Sequence, residues 1–151
     1  MSAPIYPLTV FYDASCQLCS CEMRNLMLRN QAGLLHFVDC SPASFVSPLD
    51  GVDRGEMMNC IHAQQADGTV ISGVEVFRRS YEAVGLGWVT AISKWPLAGA
   101  LADKAYPVLV RNRYRIPAWV THALFEGPTR RAAEKAAARR CDTGGVCELK
   151  G

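Results

Sequence analysis

Long hydrophobic runs are missing from this 151-residue chain. No segment approaches the eighteen or so uninterrupted apolar residues of a membrane-spanning helix, so no span is expected. A surplus of one charge is missing as well. The 16 Lys and Arg against 14 Asp and Glu leave a net charge of +2, which gives no case for a nucleic-acid binder. Histidine is scarce: His36, His62 and His122 stand at no ligand-like spacing and are expected to be structural. The opening Met1-Ser2-Ala3-Pro4-Ile5-Tyr6-Pro7 has neither a basic n-region nor an apolar h-region. No secretory signal is therefore expected, and the expected compartment is the cytoplasm. No internal repeat is visible. Half of the residues are hydrophobic, which argues against disorder, and the length suits one domain with a sizeable core.

Cysteine, by contrast, is plentiful. There are seven, an odd number, so at least one thiol stays unpaired within a monomer. In a cytoplasmic setting cysteine pairs are more often redox-active or metal-binding than structural. Two of them organise the chain. The β-prone run Leu8 to Tyr12 stops at a small polar loop, where Cys16 and Cys19 follow at i,i+3 and a helix is expected from Ser20 to Asn30. A strand feeding such a loop puts the first thiol where unpaired backbone N–H groups converge. The helix dipole there favours the thiolate, the form that attacks disulfides. Cys19, three residues on, shares the helical face and can reach Cys16.

Further along, Gly33 suits a helix C′ position, and Leu34 to Cys40 reads as a buried strand parallel to the first. Ser41 to Asp53 is loop, with Asp53 capping a short helix through Asn59. Cys60 to Gln65 and Thr69 to Ser72 flank an Asp67-Gly68 step, a hairpin signal. Val74 to Val84 has helical spacing, with Val74, Phe77, Tyr81 and Val84 on one face, and Gly85 ends it. The order β-α-β-(α)-β-β-α is that of a thioredoxin-like α/β layer: a mixed four-stranded sheet with flanking helices. From Leu86 onward Trp88–Lys94, Leu97–Tyr106, Val108–Tyr114, Ala118–Phe125 and Thr129–Arg140 read as helices punctuated by prolines. The expected organisation is a core over 1–85 and an α-helical C-terminal extension over 86–151 packed on that core, one domain overall, with a flexible tail carrying Cys141 and Cys147.

Tyr12-Asp13-Ala14-Ser15-Cys16-Gln17-Leu18-Cys19 resembles the opening signature of the DCC family of predicted thiol–disulfide oxidoreductases. The likeness continues through Asp67-Gly68-Thr69-Val70 and Gly73 and resumes at Arg111-Asn112-Arg113-Tyr114-Arg115, covering roughly positions 8 to 115. It implies a thioredoxin-like fold and a dithiol site at Cys16 and Cys19. Two departures stand out. Ala14 occupies a place where members usually carry Gly, and Met58-Asn59 precede the third strand where thioredoxins place a cis-proline.

The expected chemistry is thiol–disulfide exchange with a protein or small-molecule thiol or disulfide. Cys16 attacks and Cys19 resolves the mixed intermediate, with no cofactor and no metal. Asp13 has two readings, a satisfier of the turn's N–H groups or an acceptor of the Cys19 proton. Cys21 and Cys40 read as core residues, and Cys60 as core or as a thiol facing the site. The Arg111 to Arg115 run reads as a solvated face or an anion contact. Trp88, Trp95 and Trp119 read as packing of the helical part, ahead of a peripheral membrane contact. The alternative function is a non-catalytic binding module of the same fold, stabilised by zinc on Cys16, Cys19, Cys141 and Cys147 or seated on a membrane surface.

Overall fold

The computed structural model describes residues 5–91 and 96–123, with the further positions 127, 130, 131, 134 and 135. Strand β1 (Leu8–Tyr12) leads into helix α1 (Gln17–Arg29), strand β2 (Leu35–Asp39) and the short helix α2 (Arg54–Asn59). The hairpin β3 (His62–Gln64) and β4 (Val70–Ser72) follows, then α3 (Val74–Ala83), α4 (Gly87–Ala91) and α5 (Pro96–Asn112). A 3-10 turn over Arg113–Arg115 closes α5, and residues 118–123 are helical again.

The sheet order is β2-β1-β3-β4, with β1 and β2 parallel and the other pairs antiparallel. That is the thioredoxin-like arrangement. Alternation along β1 sends side chains to two cores. Leu8 and Val10 join Met23, Leu26, Leu35, Ile61, Ala63 and Val76 on one face. Phe11 joins Cys40, Leu49 and Met57 on the other. The sheet's middle strand is thus covered on both sides, and the loop at its end is carried on a rigid support.

Local chemistry explains the element ends. Asp53 accepts from the Glu56 N–H at 2.8 Å while the Glu56 carboxylate accepts from the Asp53 N–H at 3.0 Å, a reciprocal capping box. At the hairpin, Asp67 accepts from the Thr69 N–H at 2.9 Å, and Gly68 takes φ 88°. Strand β3 starts only at His62, because Cys60 still caps α2 through its N–H on Glu56.

Several expectations are corrected. Helix α1 begins at Gln17, not Ser20, since Cys16 itself is the N-cap. It ends before Gly33: the cap is Asn30, whose side chain pairs with both backbone groups of Leu35 at 2.8 and 3.1 Å. The buried centre of α3 is Val76 and Ser80, with Phe77, Tyr81 and Val84 flanking. Helix α5 runs through Pro107 instead of breaking there. The proline removes one N–H, but it and Asp103, whose carbonyl loses that partner, are both exposed to solvent. Trp88 and Trp119 are 73% and 72% exposed, so they do not fill a core; α4 has only five residues and buries none of them. Trp95, most of Thr129–Arg140 and the tail with Cys141 and Cys147 lie outside the described residues.

Candidate active site

The loop between β1 and α1 is held by carboxylates. Asp39, the last residue of β2, accepts from the Ala14 N–H at 3.1 Å and the Ser41 N–H at 2.8 Å. Burial raises its pKa, but these hydrogen bonds outweigh that, and the group sits below the ordinary value. Asp13 is buried and uses one oxygen on the Ser15 N–H at 2.9 Å and the Ser15 hydroxyl at 2.5 Å. Its other oxygen accepts from the Tyr114 hydroxyl and lies 3.5 Å from an Arg113 nitrogen. Asp13 thus satisfies the turn's Ser15 N–H while its second oxygen faces Tyr114 and Arg113. Ala14 needs no glycine conformation, since no non-glycine described residue has a positive φ.

Cys16 and Cys19 lie 3.2 Å apart, and both are free thiols. The Cys16 pKa is held down to about 6 from an ordinary 9.0. The largest cause is the hydrogen bond from the Cys19 thiol. Burial opposes it, the Cys19 N–H and the Arg113 charge reinforce it, and Asp13 opposes. The Cys19 pKa is driven far upward, first because its proton is held by Cys16 and then by burial. The two sulfurs thus share one proton, which Cys19 carries. Their exposures differ. Cys16 is fully buried, though its neighbours Ser15 and Gln17 are exposed. Cys19 is partly exposed and lines a partly open cavity of about 350 Å³.

That cavity lies where the end of β1 meets α1, α3 and α5, and residues that sequence reasoning passed over help to build it. Tyr106 of α5 packs edge-on against Phe77 with ring centroids 6.3 Å apart, and its hydroxyl accepts from the Ile61 N–H at 3.1 Å. Cys60 points its sulfur at this hydroxyl at 3.8 Å. Glu22, buried on α1, accepts from the Tyr81 hydroxyl at 2.5 Å; burial outweighs that bond and raises its pKa. Its i,i+3 relation to Cys19 on one helical face was the available signal. The Arg111 to Arg115 run divides: Arg111 and Arg115 are exposed, while Arg113 is buried. Arg113 donates to the Met58 carbonyl, in the segment where a cis-proline was not found, and to the Tyr114 hydroxyl at 3.1 Å. Cys40 is buried, as expected, with its thiol on the Tyr12 carbonyl at 3.0 Å. Among the described residues no group of three or more His, Cys, Asp or Glu is placed to hold a metal, and no helix is long and apolar enough to cross a membrane.

A dithiol at a strand-to-helix junction of a thioredoxin-like sheet defines the class. The chain belongs to the DCC1-like thiol-disulfide oxidoreductase family, whose family model matches residues 10–119. An uncharacterized chloroplastic protein of Arabidopsis thaliana is similar at 45% identity over 114 residues. The match covers 74% of this chain and 53% of that protein, so the chain spans about half the length of the relative. No solved structure matches.

Proposed function

We propose that the chain is an enzyme that exchanges disulfides through Cys16 and Cys19. The observation that carries this reading is the pair itself, free, 3.2 Å apart, with Cys16 the more acidic sulfur at a helix N-terminus. For a partner approaching the loop, the Cys16 thiolate attacks a disulfide sulfur and one partner thiolate leaves. Cys19 then passes its proton to that thiolate, attacks the Cys16 sulfur and releases the second partner sulfur as a thiolate. Asp13 acts as a positioning residue: its oxygens are occupied by Ser15, Tyr114 and Arg113, which favours anchoring over proton acceptance.

Differential alkylation tests the reading. With iodoacetamide, Cys16 should react with a pH midpoint near 6 while Cys19 stays slow, and Cys19→Ser should trap a mixed disulfide on Cys16. If neither thiol reacts until the protein is unfolded, the chain is not an exchange enzyme.

A further inference from the structure

The cavity behind Cys19 is more than exchange at the loop requires. Its volume of about 350 Å³ falls at the small end of ligand pockets, roughly 300–1,000 Å³. Its walls are chiefly apolar, with Leu18, Met23, Ile61, Phe77, Leu109 and Val110 among them. Its polar groups are few: Cys19, Asp13 with Arg113, Glu22 under the Tyr81 hydroxyl, and Tyr106. Arg113 is nine-tenths buried, and its Nε has no hydrogen-bond partner among the described residues, so one donor of the guanidinium is unspent. Cys16 does not line this space and Cys19 does.

We propose that the cavity receives a low-molecular-weight, uncharged, mostly apolar disulfide that reacts at Cys19. This rests on the dithiol reading above and names one substrate class for it. The Cys19 sulfur attacks one ligand sulfur while its proton passes to the Cys16 thiolate across their 3.2 Å contact. The ligand S–S bond breaks, and one half leaves as a thiolate whose charge Arg113 compensates. That thiolate takes the proton from Cys16. Cys16 then attacks Cys19, and the second half leaves as a thiolate. The dithiol is oxidised to a disulfide, the ligand is reduced by two electrons to two monothiol halves, and one proton is carried throughout. A charged ligand would lose its hydration against these walls, and a space of about 350 Å³ matches a small molecule.

The test uses the reduced full chain with dipropyl disulfide and oxidised glutathione, two unstrained dialkyl disulfides, each rate divided by that of free dithiothreitol. We expect a normalised preference of at least tenfold for dipropyl disulfide. Leu109→Trp, or Val110→Phe should the first fail to fold, should bring it close to one by filling the cavity. The single propylthio group taken up by Cys16→Ser should sit on Cys19. No preference, a preference that survives the filled cavity, or uptake by Cys19→Ser at the faster rate overturns the proposal. Oxidation by diamide separates the two ideas: if it forms no Cys16–Cys19 disulfide the dithiol reading itself fails, whereas its success beside a missing preference removes only the cavity's role.

Discussion

Arg113 brings a positive charge near both sulfurs, and Met58, Tyr114 and Asp13 hold it there. Replacing it with Met should raise the Cys16 titration midpoint from about 6, yet leave it below 9.0, because the larger cause is the Cys19 hydrogen bond. Thiolate absorbance against pH measures this. The same change leaves Asp13 buried without its cation, so denaturant unfolding should show a loss of about 3–5 kcal/mol. The pair also ties stability to pH. The folded Cys16 pKa is depressed, so its contribution is full above 9.0, shrinks as pH falls from there, and is gone below about 6. Cys19 is raised, so its contribution is full below 9.0 and declines at higher pH. Melting temperature of the reduced protein, measured against the Cys16→Ala, Cys19→Ala double variant, should therefore climb from pH 6 toward 9 and then turn over. A flat difference would contradict the shared proton. Cys16 and Cys19 were legible because their spacing is local. Arg113 was not, since nothing in Arg111-Asn112-Arg113-Tyr114-Arg115 shows which cation turns inward.

Helices and strands differ in how much of them the chain announces. The hairpin, the α2 cap and the parallel β1–β2 pair were readable because turn chemistry and alternation act over a few residues. The register of α3 against the sheet was not, because Val76 and Ser80 become the buried line only once the chain's other elements pack on that helix. Glu22 on α1 shows the energetic side. Its folded pKa is raised, so its contribution is present below the unfolded value and turns into a cost as pH rises toward neutrality. Glu22→Gln keeps an acceptor for Tyr81 and removes the buried charge. It should stabilise the protein at pH 7 and lose that advantage near pH 4, as read by urea midpoints. On α5, Tyr106→Phe should cost about 1–3 kcal/mol, since it leaves the N–H of the buried Ile61 without its partner.

The boundary drawn at residue 85 from the change in sequence character cuts through the site. The sulfurs, Asp13, Glu22, Ile61 and Phe77 lie before it, while Tyr106, Leu109, Val110, Arg113 and Tyr114 come from after it. An extension packed on the core was expected, but nothing in the sequence showed which residues close the site, because the partners are up to 101 positions apart and no local pattern couples them. A polypeptide ending at 85 would keep its four strands but expose the Phe77 and Tyr81 side of the α1–α3 face. It would also leave the Ile61 N–H, the Met58 carbonyl and the Asp13 carboxylate without Tyr106, Arg113 and Tyr114. Each lost polar partner costs about 1–3 kcal/mol, more where a charge is involved, and a domain of this size has only about 5–15 kcal/mol in total. Residues 1–85 alone should therefore lack a cooperative unfolding transition, and Cys16 in them should titrate near an ordinary thiol. If that fragment unfolds cooperatively and still ionises Cys16 near pH 6, the helical extension is a separate attachment and the acidity of Cys16 belongs to the loop alone.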